Sequence, residues 1–231
     1  TLDTTAPDAP TLTLDTDSGS AADDFLTNDG SFTVGGTEEG ATVEYLVDGN
    51  WTTTAPVSTE GDNTITVRQT DAAGNTSGSS ELTFTLDTTA AGAPGVEITE
   101  DANDDGLISA AELDGDVNVT ISLTDTGAVE GDTLTVNGTE IELTAAHITA
   151  GEVLTTVDAP AEGATLTVEA TITDAAGNVS DKGTDSAKLD TTAAGAPGVE
   201  ITEDANDDGL ISAAELDGDV NVTISLTDTG A

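Results

Sequence analysis

The chain has no cysteine, three basic residues, one histidine, and aromatic residues at only 2% of its 231 positions. The missing cysteine excludes disulfides, thiolate metal sites and Cys–His catalysis. With Arg68, Lys182 and Lys188 as the only cationic side chains, nothing is available to hold phosphates. Nucleic acid is therefore excluded as a partner, and an anionic membrane surface with it. The lone His147 leaves Ser–His–Asp chemistry a single possible base, and its setting, Ala-Ala-His-Ile-Thr, reads as a surface turn. Enzymatic activity is not expected. No apolar stretch approaches the ~18 residues of a membrane span, so direct membrane insertion is not expected, and no signal-peptide core is present.

What is abundant is acid. Forty-six carboxylates against three cations give a formal net charge of −43, and such a chain repels itself in the compact state unless cations are supplied. General salt adaptation accounts for the excess but not for its spacing. Two stretches, 101–112 and 204–215, read Asp-Ala-Asn-Asp-Asp-Gly-Leu-Ile-Ser-Ala-Ala-Glu. Oxygen side chains fall at loop positions 1, 3 and 5 (Asp101, Asn103, Asp105; Asp204, Asn206, Asp208). Gly106 and Gly209 take the sharp turn at position 6, and Glu112 and Glu215 close the loop at position 12. Calcium is the cofactor this pattern implies, with the Leu107 and Leu210 carbonyls and Ser109 and Ser212 completing each shell. Ile108, at position 8, is expected to point into a core. A looser acidic loop at Asp15, Asp17, Asp23 and Asp24 has no fixed spacing.

Everything from Leu86 to Ala128 recurs unchanged from Leu189 to Ala231, and Leu-Asp-Thr-Thr-Ala stands at 2–6, 86–90 and 189–193. These joints divide the chain into modules at 1–86, 87–189 and 190–231, the last being the N-terminal part of a repeat identical to the second. Strict alternation marks strands: Val117, Val119, Ile121 and Leu123 on one face of 116–124, and Leu166, Val168, Ala170 and Ile172 on one face of 164–173. Asn137-Gly138, between 133–136 and 140–143, is a hairpin signal, as is Asp48-Gly49. Further strands are expected at 95–99 and 153–157, and in the first module at 11–14, 31–34, 42–47, 63–69 and 81–86. Helix is nearly absent, with one short turn at 109–113. Short strands and frequent turns in modules of about 100 residues imply an all-β sandwich, which argues against the disorder that so much acid would otherwise imply. Residues 189–231, without the strands that complete the second module, are not expected to fold alone.

Leu-Asp-Thr-Thr-Ala at the joints, with Asp-Ala-Ala-Gly-Asn at 71–75 and 174–178 in a cysteine-free acidic array, resembles bacterial Ig-like repeats. The resemblance is greatest to the extender repeats of giant RTX adhesins and biofilm-associated surface proteins. It implies tandem Ig-like sandwiches joined end to end, acting as calcium-stiffened spacers that hold an adhesive tip, lying outside this stretch, away from a bacterial cell. It also implies export to the cell surface by a type I route, with neighbouring repeats of the same chain as partners. In an Ig-like topology the Asp-Ala-Ala-Gly-Asn loop lies at the N-terminal end of its module, so Asp71 and Asn75 are expected to face Asp3, and Asp174 and Asn178 to face Asp87. Joint calcium sites would follow; the plain alternative is a tight turn in which Asp and Asn bond the backbone. The loop at 101–112 is expected at the opposite end, near Asp190. A ligand-binding module is the rival reading, with Trp51 and Tyr45 as the candidate stacking rings, and a surface-layer module is a third.

Overall fold

A computed structural model describes residues 2–21 and 23–226. The chain divides into two compact units, one made of Thr1–Ile98, Asn118–Thr156 and Thr167–Asp185, the other of Thr99–Val117, Val157–Leu166 and Ser186–Ala231.

The first unit opens with a sandwich built from seven strands: β1 (Thr11–Leu14), β2 (Leu26–Thr27), β3 (Phe32–Gly35), β4 (Thr42–Val47), β5 (Asn50–Thr52), β6 (Gly61–Thr70) and β7 (Ser80–Leu86). β1 pairs antiparallel with β3, and the other five form a sheet in the order β2-β7-β6-β4-β5. Period-two alternation decides which side chains turn inward. Ile65, Leu82, Phe84 and Leu86 of the larger sheet make a buried cluster on which Leu12, Leu14 and Phe32 of the smaller sheet pack. The β4–β5 turn holds Asp48 at φ 51° and Gly49 at φ 76°, the doubly left-handed geometry whose twist suits a two-residue hairpin. One buried polar group has no counterpart in the sequence expectations. Gln69 is fully enclosed, its amide donating to the carbonyls of Asp8 (2.8 Å) and Gly36 (3.1 Å) and accepting from the Glu38 N–H (2.9 Å).

A second sandwich follows the same plan. Its elements are β8 (Gly95–Ile98), β9 (Leu107–Ser109), β10 (Val117–Ser122), β11 (Thr133–Val136), β12 (Thr139–Glu142), the helix α1 (Ala145–Ala150), β13 (Glu152–Val157), β14 (Thr165–Thr173) and β15 (Gly183–Asp190). Within the first unit the sheets run β13-β10-β8 and β12-β11-β14-β15. Ile98, Val119, Ile121 and Val153 are buried on one sheet, and Leu134, Val136, Val168, Ala170 and Ile172 on the other. The β11–β12 turn repeats the earlier hairpin, with Asn137 at φ 46° and Gly138 at φ 84°. Gly183 permits a close crossing: a Cβ there would lie 1.9 Å from the Pro94 carbonyl oxygen.

Helix α1 was not expected, and it changes the place of His147, which is a capping residue and not a turn residue. The Thr144 hydroxyl accepts the His147 N–H (3.3 Å), the His147 Nδ1 accepts the Thr144 N–H (3.2 Å), and Gly151 ends the helix at φ 73°. The N–H groups of Thr144 and His147, which the helix itself leaves unpaired, are thereby satisfied.

In the second unit β9 runs parallel to the end of β15, with Leu107 opposite Lys188, Ile108 opposite Leu189 and Ser109 opposite Asp190. Ile108 is buried, as its loop position implies. β16 (Gly198–Ile201) and β17 (Val222–Ser225) pair in the register of β8 and β10, Ile201 opposite Val222 where Ile98 lies opposite Val119. The copied segment thus keeps its hairpin, but Val199, Ile201, Val222, Ile224 and Leu226 are exposed.

Candidate metal centres and module joints

The loop at 101–112 is folded around its first residue. Asp101 Oδ1 accepts the Asp105 N–H (3.1 Å) and Oδ2 the Gly106 N–H (2.8 Å). Asn103 Oδ1 accepts the same Asp105 N–H (3.0 Å), and Asp105 Oδ1 accepts the Leu107 N–H (3.0 Å). Asp104 sits at φ 56° and Gly106 at φ 80°, so the sharp turn falls where the pattern puts the glycine. Glu112 Oε2 accepts from Ser109 through its N–H (2.9 Å) and its hydroxyl (2.7 Å), and these bonds hold its carboxyl below the ordinary range. The copy repeats the pattern at Asp204, Asn206, Asp208, Leu210, Ser212 and Glu215. Among the described residues no three carboxylate or imidazole groups lie clustered as a finished metal centre. The donor set nonetheless suits one kind of ion. It consists of hard oxygen from the Asp, Asn, Glu and Ser side chains, the donor type that a cation of the calcium class takes.

The joints repeat a second arrangement. Asp71 accepts the N–H groups of Ala73 (2.9 Å) and Asn75 (2.8 Å) and the Asn75 amide (2.8 Å), bonds that hold its carboxyl low, the Asn75 amide first among them. The Asn75 amide also reaches the Asp3 carbonyl at 3.4 Å. In the second sandwich Asp174 accepts the Asn178 N–H (2.8 Å) and amide (2.9 Å), and that amide donates to the Asp87 carbonyl at 2.9 Å. Asn75 and Asn178 thus reach the backbone of Asp3 and Asp87, along with the tight-turn hydrogen bonds of the plainer reading.

Two features of the joints were not legible beforehand. Glu60 accepts the Thr88 hydroxyl (2.9 Å), the Thr88 N–H (3.2 Å) and the Thr89 hydroxyl (3.4 Å). Glu162 does the same for the Thr191 N–H (2.9 Å), the Thr191 hydroxyl (2.5 Å) and the Thr192 hydroxyl (3.0 Å). Both carboxyls are held below their ordinary range by these threonines. The recurring Glu-Gly at 60–61 and 162–163, at the entry to β6 and β14, was the available signal. Secondly, the 15–24 loop meets the 174–178 loop directly: the Ser18 hydroxyl donates to the Ala176 carbonyl (2.6 Å) and the Ser20 N–H to the Ala175 carbonyl (3.2 Å). Within the 15–24 loop Asp17 Oδ1 is buried without a partner.

The candidate stacking rings are otherwise engaged. Arg68 lies over the Trp51 ring at 4.1 Å while bonding Glu44 (3.0 Å), and Tyr45 meets Phe32 edge-on at 6.3 Å against the first core.

Residues 32–88 match the family profile of the bacterial Ig-like domain. No curated protein matches the sequence. Among solved structures, similarity is found to a 1.5-MDa bacterial ice-binding adhesin, at 24% identity over 82% of this chain and 67% of that one, with a TM-score of 0.37. A Ca2+-stabilized adhesin with which an Antarctic bacterium binds ice is 27% identical over 87% of this chain, with a TM-score of 0.38; the chain spans about half (54%) of that one. The BSP domain of a biofilm associated protein is 17% identical over 71% of this chain and 27% of its own, with a TM-score of 0.26. Among the described residues no helix is long and apolar enough to cross a membrane.

Proposed function

We propose that the chain is a run of calcium-stiffened, non-enzymatic extender modules, divided at 1–86, 87–189 and 190–231, in a large secreted adhesin of a bacterial surface. Its partners are its own neighbouring repeats, and the adhesive tip lies elsewhere in the protein. The observation that carries this reading is the recurrence of two joint features: a glutamate gripping the Asp-Thr-Thr segment (Glu60 at 87–89, Glu162 at 190–192), and an Asp-x-x-x-Asn loop whose asparagine reaches an aspartate carbonyl (Asn75 to Asp3, Asn178 to Asp87), the two meeting at Asp87. A binding domain varies its loops, whereas a spacer gains from repeating its ends. The calcium positions of this reading are the loops at 101–112 and 204–215, the joint of Asp3, Asp71 and Asn75, and the joint of Asp87, Asp174 and Asn178. The ion supplies positive charge where carboxylates crowd, and the protein supplies oxygen donors and a fixed backbone.

A site that binds only the folded state adds about 2.7 kcal/mol at a hundredfold excess of ligand over Kd, which is large beside the 5–15 kcal/mol or so that holds a domain. Small-angle scattering with thermal melting, in calcium, in EGTA and in matched magnesium, tests the proposal. Calcium alone is expected to raise the melting temperature and lengthen the particle. Equal effects from magnesium or sodium would reduce the acids to a salt adaptation and end the calcium reading.

A further inference from the structure

Asp132 precedes β11 and was not singled out by any spacing. Its side chain is enclosed, with the residue only 3% exposed. Oδ2 accepts the Val129 N–H at 2.9 Å, but Oδ1 is buried with no hydrogen-bond partner at all. The group lines a cleft of roughly 340 Å³ together with Asp87, Thr89, Thr126 and Asp174. A carboxylate in such a place is costly: an unpaired buried charge must find a counter-charge or give up its ionisation. The local fold does not require it. The first sandwich makes the same turn with Ala41, whose N–H donates to the Glu38 carbonyl (3.1 Å) as that of Asp132 donates to the Val129 carbonyl (3.3 Å), and each turn leads into the equivalent strand. The neighbouring charges aggravate the burial: desolvation first, then Asp174 and Asp87, raise the Asp132 carboxyl above its ordinary range. Among the described residues no cationic side chain lines the cleft.

We infer that Asp132 is a ligand of the joint cation, so that the site is built from three separate stretches of chain: the joint strand at Asp87, the turn at Asp132 and the loop at Asp174. The inference rests on the joint-calcium reading above and sharpens it. The ion is a divalent, oxygen-seeking cation of the calcium class, since the polar side chains lining the cleft are the carboxylates of Asp87, Asp132 and Asp174 and the hydroxyls of Thr89 and Thr126, all hard oxygen. Ligation by Asp132 ties the turn before β11 to the chain entering the module. The first joint, with Ala41 in that place, lacks this tie, so the two joints differ in affinity.

The test counts bound calcium per full chain by titration calorimetry in metal-free buffer, and follows melting in calcium and in EDTA. The variants are Asp132→Asn, Asp132→Ala and Asp174→Asn. The expected result is one calcium fewer for each, with the loops at 101–112 and 204–215 still filling. Asp132→Ala also melts no lower than the parent in EDTA yet lower in calcium, a crossover that a misfolded variant would not give. Asp132 is refuted as a ligand if Asp174→Asn loses an ion while both Asp132 variants keep the parent's stoichiometry and calcium-induced shift. Parent stoichiometry in all three would overturn the joint calcium itself.

Discussion

The repeated segment offers a controlled experiment in core packing. Ile121 on β10 and Ile224 on β17 occupy identical sequences and pair in the same register, yet one is fully enclosed and the other 64% exposed. Ile121→Ala removes buried methylenes and leaves a cavity, costing about 2–5 kcal/mol. Ile224→Ala removes atoms that already face water and costs no more than about 0.5 kcal/mol, as surface changes do. Scanning calorimetry in EGTA removes any metal contribution and reads the difference. In a domain of this size a loss near 3 kcal/mol lowers the midpoint by roughly 10–20 °C, so Ile121→Ala should displace one transition visibly while Ile224→Ala leaves the trace unchanged. Comparable shifts from the two variants would refute the reasoning, because they would require β16 and β17 to be covered as β8 and β10 are.

Replacing Glu112 or Glu215 by Gln should each remove one bound calcium and the corresponding share of calcium-induced stability, about 2.7 kcal/mol at a hundredfold excess of ion over Kd, measured by calorimetric titration and melting. Gly74 and Gly177 share a left-handed backbone (φ 91° and 89°), but a Cβ at 74 meets nothing within 4 Å and one at 177 falls 2.5 Å from the Ser18 carbonyl oxygen. Gly74→Ala should therefore cost only the left-handed penalty of about 1–2 kcal/mol. Gly177→Ala should cost more and also weaken protection of the Ser20 amide in hydrogen exchange; equal costs would mean that the loops do not touch. The threonine clamps should depend on pH in one direction. Because Glu60 and Glu162 titrate below the ordinary value of 4.5, their contribution is whole above that value and lost as pH falls through the lowered one. Exchange protection at Thr88 and Thr191 should drop only there, and an unchanged profile would sink the clamp.

Much of the architecture was legible because it depends on local pattern. Val117, Val119 and Ile121 alternate, and Asn137-Gly138 dictates its turn, so β10 and the β11–β12 hairpin could be read directly. β9 could not. Leu107–Ser109 lies within a calcium-type loop, shows no alternation, and owes its strand character to a parallel partner some eighty residues away. β2 is hidden for a similar reason, two residues long beside Phe25 at φ 58°. Helix α1 is short, and its cap uses His147 where glutamate or glutamine is usual, although Gly151 offered a stop signal. For the candidate sites, the loops announce themselves by spacing and the joints by repetition. Gln69 and Asp132 carry no such mark, since their significance lies in enclosure, a property of the assembled sheets; replacement of an aspartate by Ala41 at the matching turn was the one visible hint.

The parallel pairing at the end of each larger sheet has a mechanical meaning. β2 lies along the end of β7, with Leu26 opposite Thr85 and Thr27 opposite Leu86, and β9 lies along the end of β15. When a chain is pulled by its ends, strands arranged in this way slide along each other instead of peeling apart, and all their hydrogen bonds share the load together. In the second module the pairing is extended by the Lys188 N–H, which donates at 2.9 Å to the Gly106 carbonyl inside the acidic loop. The loop is thus bolted to the very strand that passes tension into Asp190 and whatever follows. Stiffening that loop would make the exit of this sandwich its toughest seam under tension.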